Sequence, residues 1–243
     1  VNHHGNTAAE DASAIPGYVL PAERGRDLSV LIDRLLDDRI LGGRIDVARI
    51  GAAGFSLGGL AALSLAGVHL SFDEMQRQCR AMPDTTACEL PPEARFTQAD
   101  LLASAKSDAV FGAGIERSKR PVTDARVRAV YAIAPALLQL VPAESWSTVV
   151  TPVRVVLAEK DQQVPWPDTE RLLRQVLPPA SVVRVADAGH YVFLAVCSLR
   201  GLLRVGALCR DPDVTDRAEV HARIGRDAAR FFDASLASGG EGR

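Results

Sequence analysis

Val47-Ala48-Arg49-Ile50-Gly51-Ala52-Ala53-Gly54-Phe55-Ser56-Leu57-Gly58-Gly59-Leu60-Ala61-Ala62-Leu63-Ser64-Leu65-Ala66-Gly67 changes texture in its middle. Val47 to Phe55 is a short run of small and apolar residues, as a buried strand is. Leu57 to Gly67 is apolar almost all round, as a helix enclosed between a sheet and its covering layer is. Between them, Gly54, Phe55, Ser56, Leu57 and Gly58 fit the pattern G-x-S-x-G, in which a serine sits on a strained strand-to-helix turn and the flanking glycines leave room for a tight backbone. The pattern is short, and its weight comes from context. A strand precedes it, and Gly59, Ala61 and Ala62 in the following helix are small enough for close helix-to-strand approach. The competing reading is a glycine-rich structural turn with a bystander serine.

Working outward, the first twenty residues read as loop. Leu28, Leu31, Ile32, Leu35 and Leu36 then recur at helix spacing, with Arg24, Arg26, Asp33, Arg34, Asp37 and Asp38 mostly opposite, which predicts an amphipathic helix over roughly 23–38, ended by Gly42 and Gly43. From about 70 to 125 the character changes to polar helical pieces broken by Pro83, Pro91, Pro92 and Pro121, read as an inserted lid or cap. Strands then alternate with helices: Val127 to Ala134, Val153 to Ala158, a helix near 169–177 with Asp168 as its cap, and Val182 to Val185. Such alternation predicts an α/β fold with a mostly parallel sheet covered on both faces. Val220, Ile224, Ala228, Phe231 and Phe232 form the apolar stripe of a last helix, and the tail from Ser238 is expected to be disordered. One domain over 1–237 with no internal repeats is the expected organisation.

A serine hydroxyl is a poor nucleophile at neutral pH unless a base takes its proton, and the base needs a carboxylate to fix its tautomer and stabilise its charge. Asp161 lies in a loop just after a predicted strand, where an acid would point into a site at the carboxyl edge of the sheet. Glu159 and Asp168 compete with it, the latter better explained as a helix cap. The next strand ends in Asp187-Ala188-Gly189-His190, which puts a histidine at the same edge. Of the others, His3 and His4 sit in the opening loop, His69 follows the nucleophile helix and His221 lies on the last helix. Ser56, Asp161 and His190 therefore stand in the order Ser, acid, His along the chain.

Composition bounds the partners. The 28 Lys and Arg against 30 Asp and Glu give a net charge of −2 without a basic run, so the footprint of nucleic-acid binding is missing. No stretch approaches the length of a bilayer span without a charge or turn signal, which implies a soluble chain without a transmembrane segment. The chain opens on Val1 rather than Met, so a processed product or a fragment is expected, with a targeting segment lost from it or not. Cys79 with Cys88 and Cys197 with Cys209 form two local pairs suited to disulfides; four buried thiols are the alternative, and zinc is a weaker one because neither pair has the spacing or the histidines a structural site uses. If the disulfides form, the compartment is oxidising, periplasmic or secreted; otherwise it is cytoplasmic.

These residues resemble the α/β-hydrolase superfamily, and more narrowly the bacterial proteins called predicted dienelactone hydrolases, which are related to the platelet-activating-factor acetylhydrolases. The likeness runs from about residue 1 to 235. It rests on the opening Asn2-His3-His4-Gly5-Asn6-Thr7, on Gly43 to Asp46 before the nucleophile strand, on Gly189-His190-Tyr191-Val192-Phe193-Leu194, and on the cysteines after the histidine. Dienelactone hydrolases proper use a cysteine nucleophile where this chain has Ser56, so a dienelactone substrate is not expected. The resemblance implies a serine esterase or lipase-like enzyme acting on a small-molecule or lipid-like ester, with no metal or organic cofactor. It also implies an oxyanion donor from the Leu57 amide. The cap over about 70–125 is expected to form one wall of the acyl or alcohol pocket, with Phe55, Leu57, Trp166 and Tyr191 as candidate apolar lining. The family fold has several strands and an oxyanion loop ahead of the segment where this chain opens, so a sheet short of its amino-terminal strands is expected. Two rival functions remain at this point: a catalytically impaired binding module on the same fold, and an acyltransferase.

Overall fold

A proline at the first turn of a helix gives up an N–H that has no partner there and arrives with its φ already set. Pro21 does this for α1 (Pro21–Asp37), whose first turn, from Pro21 to Gly25, is the buried part of the helix. The computed structural model describes residues 3, 15, 20–90, 94, 96–211 and 215–237. The loop expected over the first twenty residues therefore falls largely outside the described residues, as do Asn2 and His4 to Thr7, Pro91, Pro92 and the tail from Ser238.

β1 (Ile50–Phe55) starts three residues later than the sequence suggested. The Asp46 carboxylate accepts from the Ala48 amide, and the Arg49 amide donates to the Asp46 carbonyl, so 46–49 is a turn that leaves Val47 exposed. α2 (Leu57–Leu65) follows, with every residue from Gly59 to Leu65 buried. The 70–125 region forms α3 (Phe72–Ala81), α4 (Gln98–Ser107) and α5 (Ala109–Ser118). Each begins on a side-chain cap, from Ser71, Thr97 and Asp108 respectively, which supplies acceptors for first-turn amides that have none inside the helix. Phe72, Met75, Leu101 and Phe111 from these helices join the same buried cluster as Leu60 and Leu63 of α2.

The rest of the chain is β2 (Val127–Ile133), α6 (Ala143–Trp146), β3 (Val153–Ala158), α7 (Trp166–Val176), β4 (Ser181–Val185), α8 (Leu199–Val205) and α9 (Arg217–Ala237). Asp168 does not cap α7. Pro167 is tolerated in the first turn, so the helix begins at Trp166 behind Pro165, and the Asp168 carboxylate pairs with Arg171 instead.

Among the described residues the sheet has four strands in the order β1-β2-β3-β4, all parallel, with β1 on the outside. Side chains alternate across it. Val130, Ala132, Val155 and Leu157 join the buried cluster that holds Leu60 and Leu63 of α2, while Ala129, Tyr131, Val156 and Val185 join that of Val220, Ile224 and Phe231 of α9. Near-continuous apolar strands are what a parallel sheet covered on both faces requires. All five residues of the expected α9 stripe lie on this second face. A half-buried polar network pins the helix to the sheet. The Tyr131 hydroxyl donates to Asp227 at 2.8 Å, and Arg154 donates to the other Asp227 oxygen at 2.9 Å and to the Ser181 hydroxyl at 2.9 Å. Burial and the neighbouring Asp227 carboxylate push the Tyr131 phenol above its usual range, so it stays a donor.

Both expected cysteine pairs are disulfides, Cys79–Cys88 and Cys197–Cys209, and no cysteine among the described residues is free.

Candidate active site

The carboxyl end of β1 runs into α2 through a single residue. Ser56 holds φ 54° and ψ −119°, a region a non-glycine residue enters only when its surroundings force it. Those surroundings are visible. The Ser56 amide donates to the Ile133 carbonyl at 2.9 Å, while the Ser56 carbonyl accepts from the amides of Gly59 at 2.9 Å and Ala136 at 3.2 Å. Gly54 makes the turn possible, since a Cβ there would stand 2.1 Å from the Gly58 carbonyl oxygen. The exit of β2 is bent to match, with Ala134 at φ 40° and Leu137 at φ 65°.

Asp161 and His190 arrive at the same edge from the ends of β3 and β4. One Asp161 oxygen accepts from the amides of Gln163 and Val164 at 2.9 and 2.8 Å, which fixes the carboxylate in its own loop. The other lies 2.7 Å from His190 Nδ1. A carboxylate can only accept, so Nδ1 carries the hydrogen and Nε2 presents a lone pair. That lone pair faces Ser56 Oγ at 3.1 Å. The Asp161 side chain is wholly buried and that of His190 nearly so. The ring is further held between Phe55, at 4.8 Å between centroids, and Tyr191, edge-on at 5.3 Å. A backbone bond from the Lys160 amide to the Ala188 carbonyl, 2.8 Å, ties the acid loop to the histidine loop. His221, on α9, donates to the Val192 carbonyl at 2.8 Å and so braces the segment that carries His190.

Ser56, His190, Phe55, Leu57 and Tyr191 all line one cavity of about 570 Å³. Trp166 does not. It stands at the start of α7, half-buried against the core, with the Arg184 guanidinium stacked over its ring at 4.6 Å. Glu159 does not join either, being exposed on the loop while its amide continues the strand pairing to Val185. The 70–125 region does form one wall of the cavity, as expected, but most of the lining residues were not named from the sequence. Met75, Gln76, Cys79, Cys88 and Leu101 come from the 70–125 region, Leu137 from the β2 exit, Gln162 and Gln163 from the acid loop, and Leu194 and Leu208 from beyond the histidine. Gln162 and Gln163 adjoin the acid and were within reach of sequence reasoning; the others depend on packing that no local pattern encodes.

The Leu57 amide opens α2, so it has no carbonyl to reach within the helix, and it lies at the positive end of the helix dipole beside Ser56. The arrangement can thus pass a proton from Ser56 Oγ to His190 Nε2 while a donor faces the adjacent space. Among the described residues no three His, Cys, Asp or Glu side chains are grouped so as to hold a metal ion, and no helix is long and apolar enough to cross a membrane.

The sequence matches the model of the alpha/beta hydrolase family over residues 3–196, which takes in Ser56, Asp161 and His190. No curated protein matches it. Among solved structures it is similar to acyl-protein thioesterase 2 of Zea mays, at 12% identity over 78% of this chain and 66% of that one, with a TM-score of 0.32. It is also similar to a truncated carbohydrate esterase from gut microbiota, at 14% identity over 98% and 73% of the two chains and a TM-score of 0.39. A third similarity is to E-2-(acetamidomethylene)succinate hydrolase, at 16% identity over 69% and 66% and a TM-score of 0.32. The chain thus spans about two thirds of the maize protein's length.

Proposed function

Because the chain belongs to the alpha/beta hydrolase family, we propose that it is a serine hydrolase that cleaves carboxylic esters through a covalent acyl intermediate. The observation that carries this reading is the unbroken chain from Ser56 Oγ through His190 to the buried Asp161 carboxylate, opening on a largely apolar cavity. In this mechanism Ser56 attacks the ester carbonyl as His190 Nε2 takes its proton, and Asp161 steadies the imidazolium. The Leu57 amide donates to the oxyanion of the tetrahedral intermediate. His190 then protonates the departing alcohol, and in the second half activates the water that releases the acid and frees Ser56.

Helices α3 and α4, from the 70–125 region, act as a cap over the acyl or alcohol pocket. Met75, Leu90, Leu101 and Leu137 favour an apolar substituent there over a charged one. The two disulfides support an oxidising compartment, periplasmic or extracellular. The narrower kinship with predicted dienelactone hydrolases and platelet-activating-factor acetylhydrolases belongs to this proposal too, carried by the segment around His190.

The test is hydrolysis of a short p-nitrophenyl ester by the protein and by Ser56→Ala, together with fluorophosphonate labelling and peptide mapping. Turnover and label that vanish together in the variant uphold the proposal. A folded wild-type sample that neither turns over nor labels at Ser56 defeats it.

A further inference from the structure

We propose that residues 194–210, beside the mouth of the cavity, form a docking surface for an anionic lipid surface. Val196, Leu199, Leu202, Leu203 and Val205 are exposed by 61, 74, 48, 81 and 46%, so five of the fourteen large apolar residues exposed in the described chain fall within ten positions. Single exposed aliphatic residues are ordinary on a protein surface; a cluster of this density marks a contact surface. α8 buries none of its residues, so packing against the core does not explain its leucines.

The base of the segment is nevertheless firmly held. Cys197–Cys209 closes it, and the buried Arg217 donates to the carbonyls of Ala195 and Leu208 at 3.1 and 2.9 Å while pairing with Asp211. The segment is therefore stapled in place with its apolar side chains pointing outward.

Charge selects the occupant. Between His190 and Arg210 there is no Asp or Glu, whereas Arg200, Arg204 and Arg210 are all present and exposed. Among the described residues none of the three makes an ion pair. A second copy docked about a two-fold axis would bring like arginines face to face. Leucines interleaved with arginines suit instead an interface that is apolar within and negatively charged at its surface. Leu194 and Leu208, at the two ends of the segment, both line the cavity, so docking here sets the cavity mouth against the lipid. The inference does not depend on the hydrolytic reading.

The experiment is sedimentation of the protein with vesicles of ether-linked phosphatidylglycerol, which offer no ester to Ser56, beside vesicles of ether-linked phosphatidylcholine. Binding to the anionic vesicles that is released by salt is expected, with little binding to the zwitterionic ones. Arg200→Gln/Arg204→Gln should weaken binding by about fivefold per arginine. Leu199→Ser/Leu203→Ser should weaken it by about tenfold or more, with folding of both variants checked by circular dichroism. A folded wild-type protein that ignores phosphatidylglycerol overturns the proposal, as do double variants that bind like wild type. A dimer in analytical ultracentrifugation that dissociates in the leucine variant also overturns it, since a second copy then covers the patch.

Discussion

Replacing Gly54 by alanine places a Cβ 2.1 Å from the Gly58 carbonyl oxygen, 2.3 Å from its carbon and 2.9 Å from the Gly59 amide nitrogen. Comfortable contacts between such atoms lie near ~3.5 Å, so more than an ångström of separation is missing. Every atom involved is backbone, and no side-chain rotation relieves the overlap. The first turn of α2 must move away from β1. Overpacking costs about 1–3 kcal/mol where side chains can adjust. With backbone on both sides we expect the upper end, about 3 kcal/mol, which for a chain of this size lowers Tm by roughly 6–12 °C. Gly58→Ala is the matched control. A Cβ there meets nothing within 4 Å, and alanine in place of glycine in a helix is favourable by up to about 1 kcal/mol, so its Tm should hold or rise. Thermal unfolding followed by circular dichroism reads both, and the rate of fluorophosphonate labelling reads the elbow itself. A displacement of ~1 Å at the nucleophile should slow labelling about a hundredfold in Gly54→Ala. If Gly54→Ala melts with the wild type, or Gly58→Ala falls as far, the steric account of this turn is wrong.

Asp161→Asn keeps an oxygen for the Gln163 and Val164 amides but turns a donor toward His190 Nδ1, which favours the other tautomer; kcat for an ester substrate should drop by roughly 10³–10⁴, and an unchanged kcat would remove Asp161 from the reaction. Hydrogen bonds from Arg126, ahead of those from Ser29, hold the buried Asp124 carboxyl down at about 2 from 3.8. A depressed carboxyl stabilises the fold above its unfolded value and loses that effect as pH falls through its folded value, so Asp124→Asn should cost about 2 kcal/mol in urea unfolding at pH 7, fading between pH 4 and 2. A deficit as large at pH 2 as at pH 7 would refute this. Cys79 and Cys88 both line the cavity, so the double serine variant should lose about 3 kcal/mol of stability and also change the relative kcat/KM of short and long acyl esters; stability loss with an unaltered chain-length profile would deny the disulfide a part in the wall.

What was legible in the sequence is what local physics determines. The strand and helix around Ser56, the strand Val153–Ala158 to the residue, and the apolar stripe of α9 all follow from periodicity, because each element's environment is uniform along its length. Boundaries failed where a side chain competed for the backbone. The Asp46 turn delayed β1, and α7 begins at Trp166 with Pro167 in its first turn, which removed Asp168 from the cap. Ser56, Asp161 and His190 could be grouped because a serine, a carboxylate and a histidine that follow three strands in that order leave a pattern, and the structure brings the three side chains together. The wall could not. Met75, Leu101 and Leu208 reach the cavity from segments whose place is set by disulfides and by caps on helices far apart in sequence, and an apolar residue on such a helix reads the same whether it faces a core or a cavity.

The three groups of the site come from three strands, so their spacing depends on how the sheet ends rather than on any one loop. Hydrogen bonds continue the ladder past the strands. The Ser56 amide to the Ile133 carbonyl joins β1 to β2, and the Ala134 amide to the Val156 carbonyl joins β2 to β3. The amides of Glu159 and Lys160 to the carbonyls of Val185 and Ala188 join β3 to β4. Each accepting carbonyl belongs to a buried or half-buried residue, where leaving a partner unmet is costly. Ser56 is thus linked to the loop of His190 by a series of such bonds from strand to strand, and the 3.1 Å between Ser56 and His190 depends on how the sheet ends. The Tyr131, Asp227 and Arg154 network ties α9 to β2 and β3 on the far side of the sheet, and none of the three residues lines the cavity.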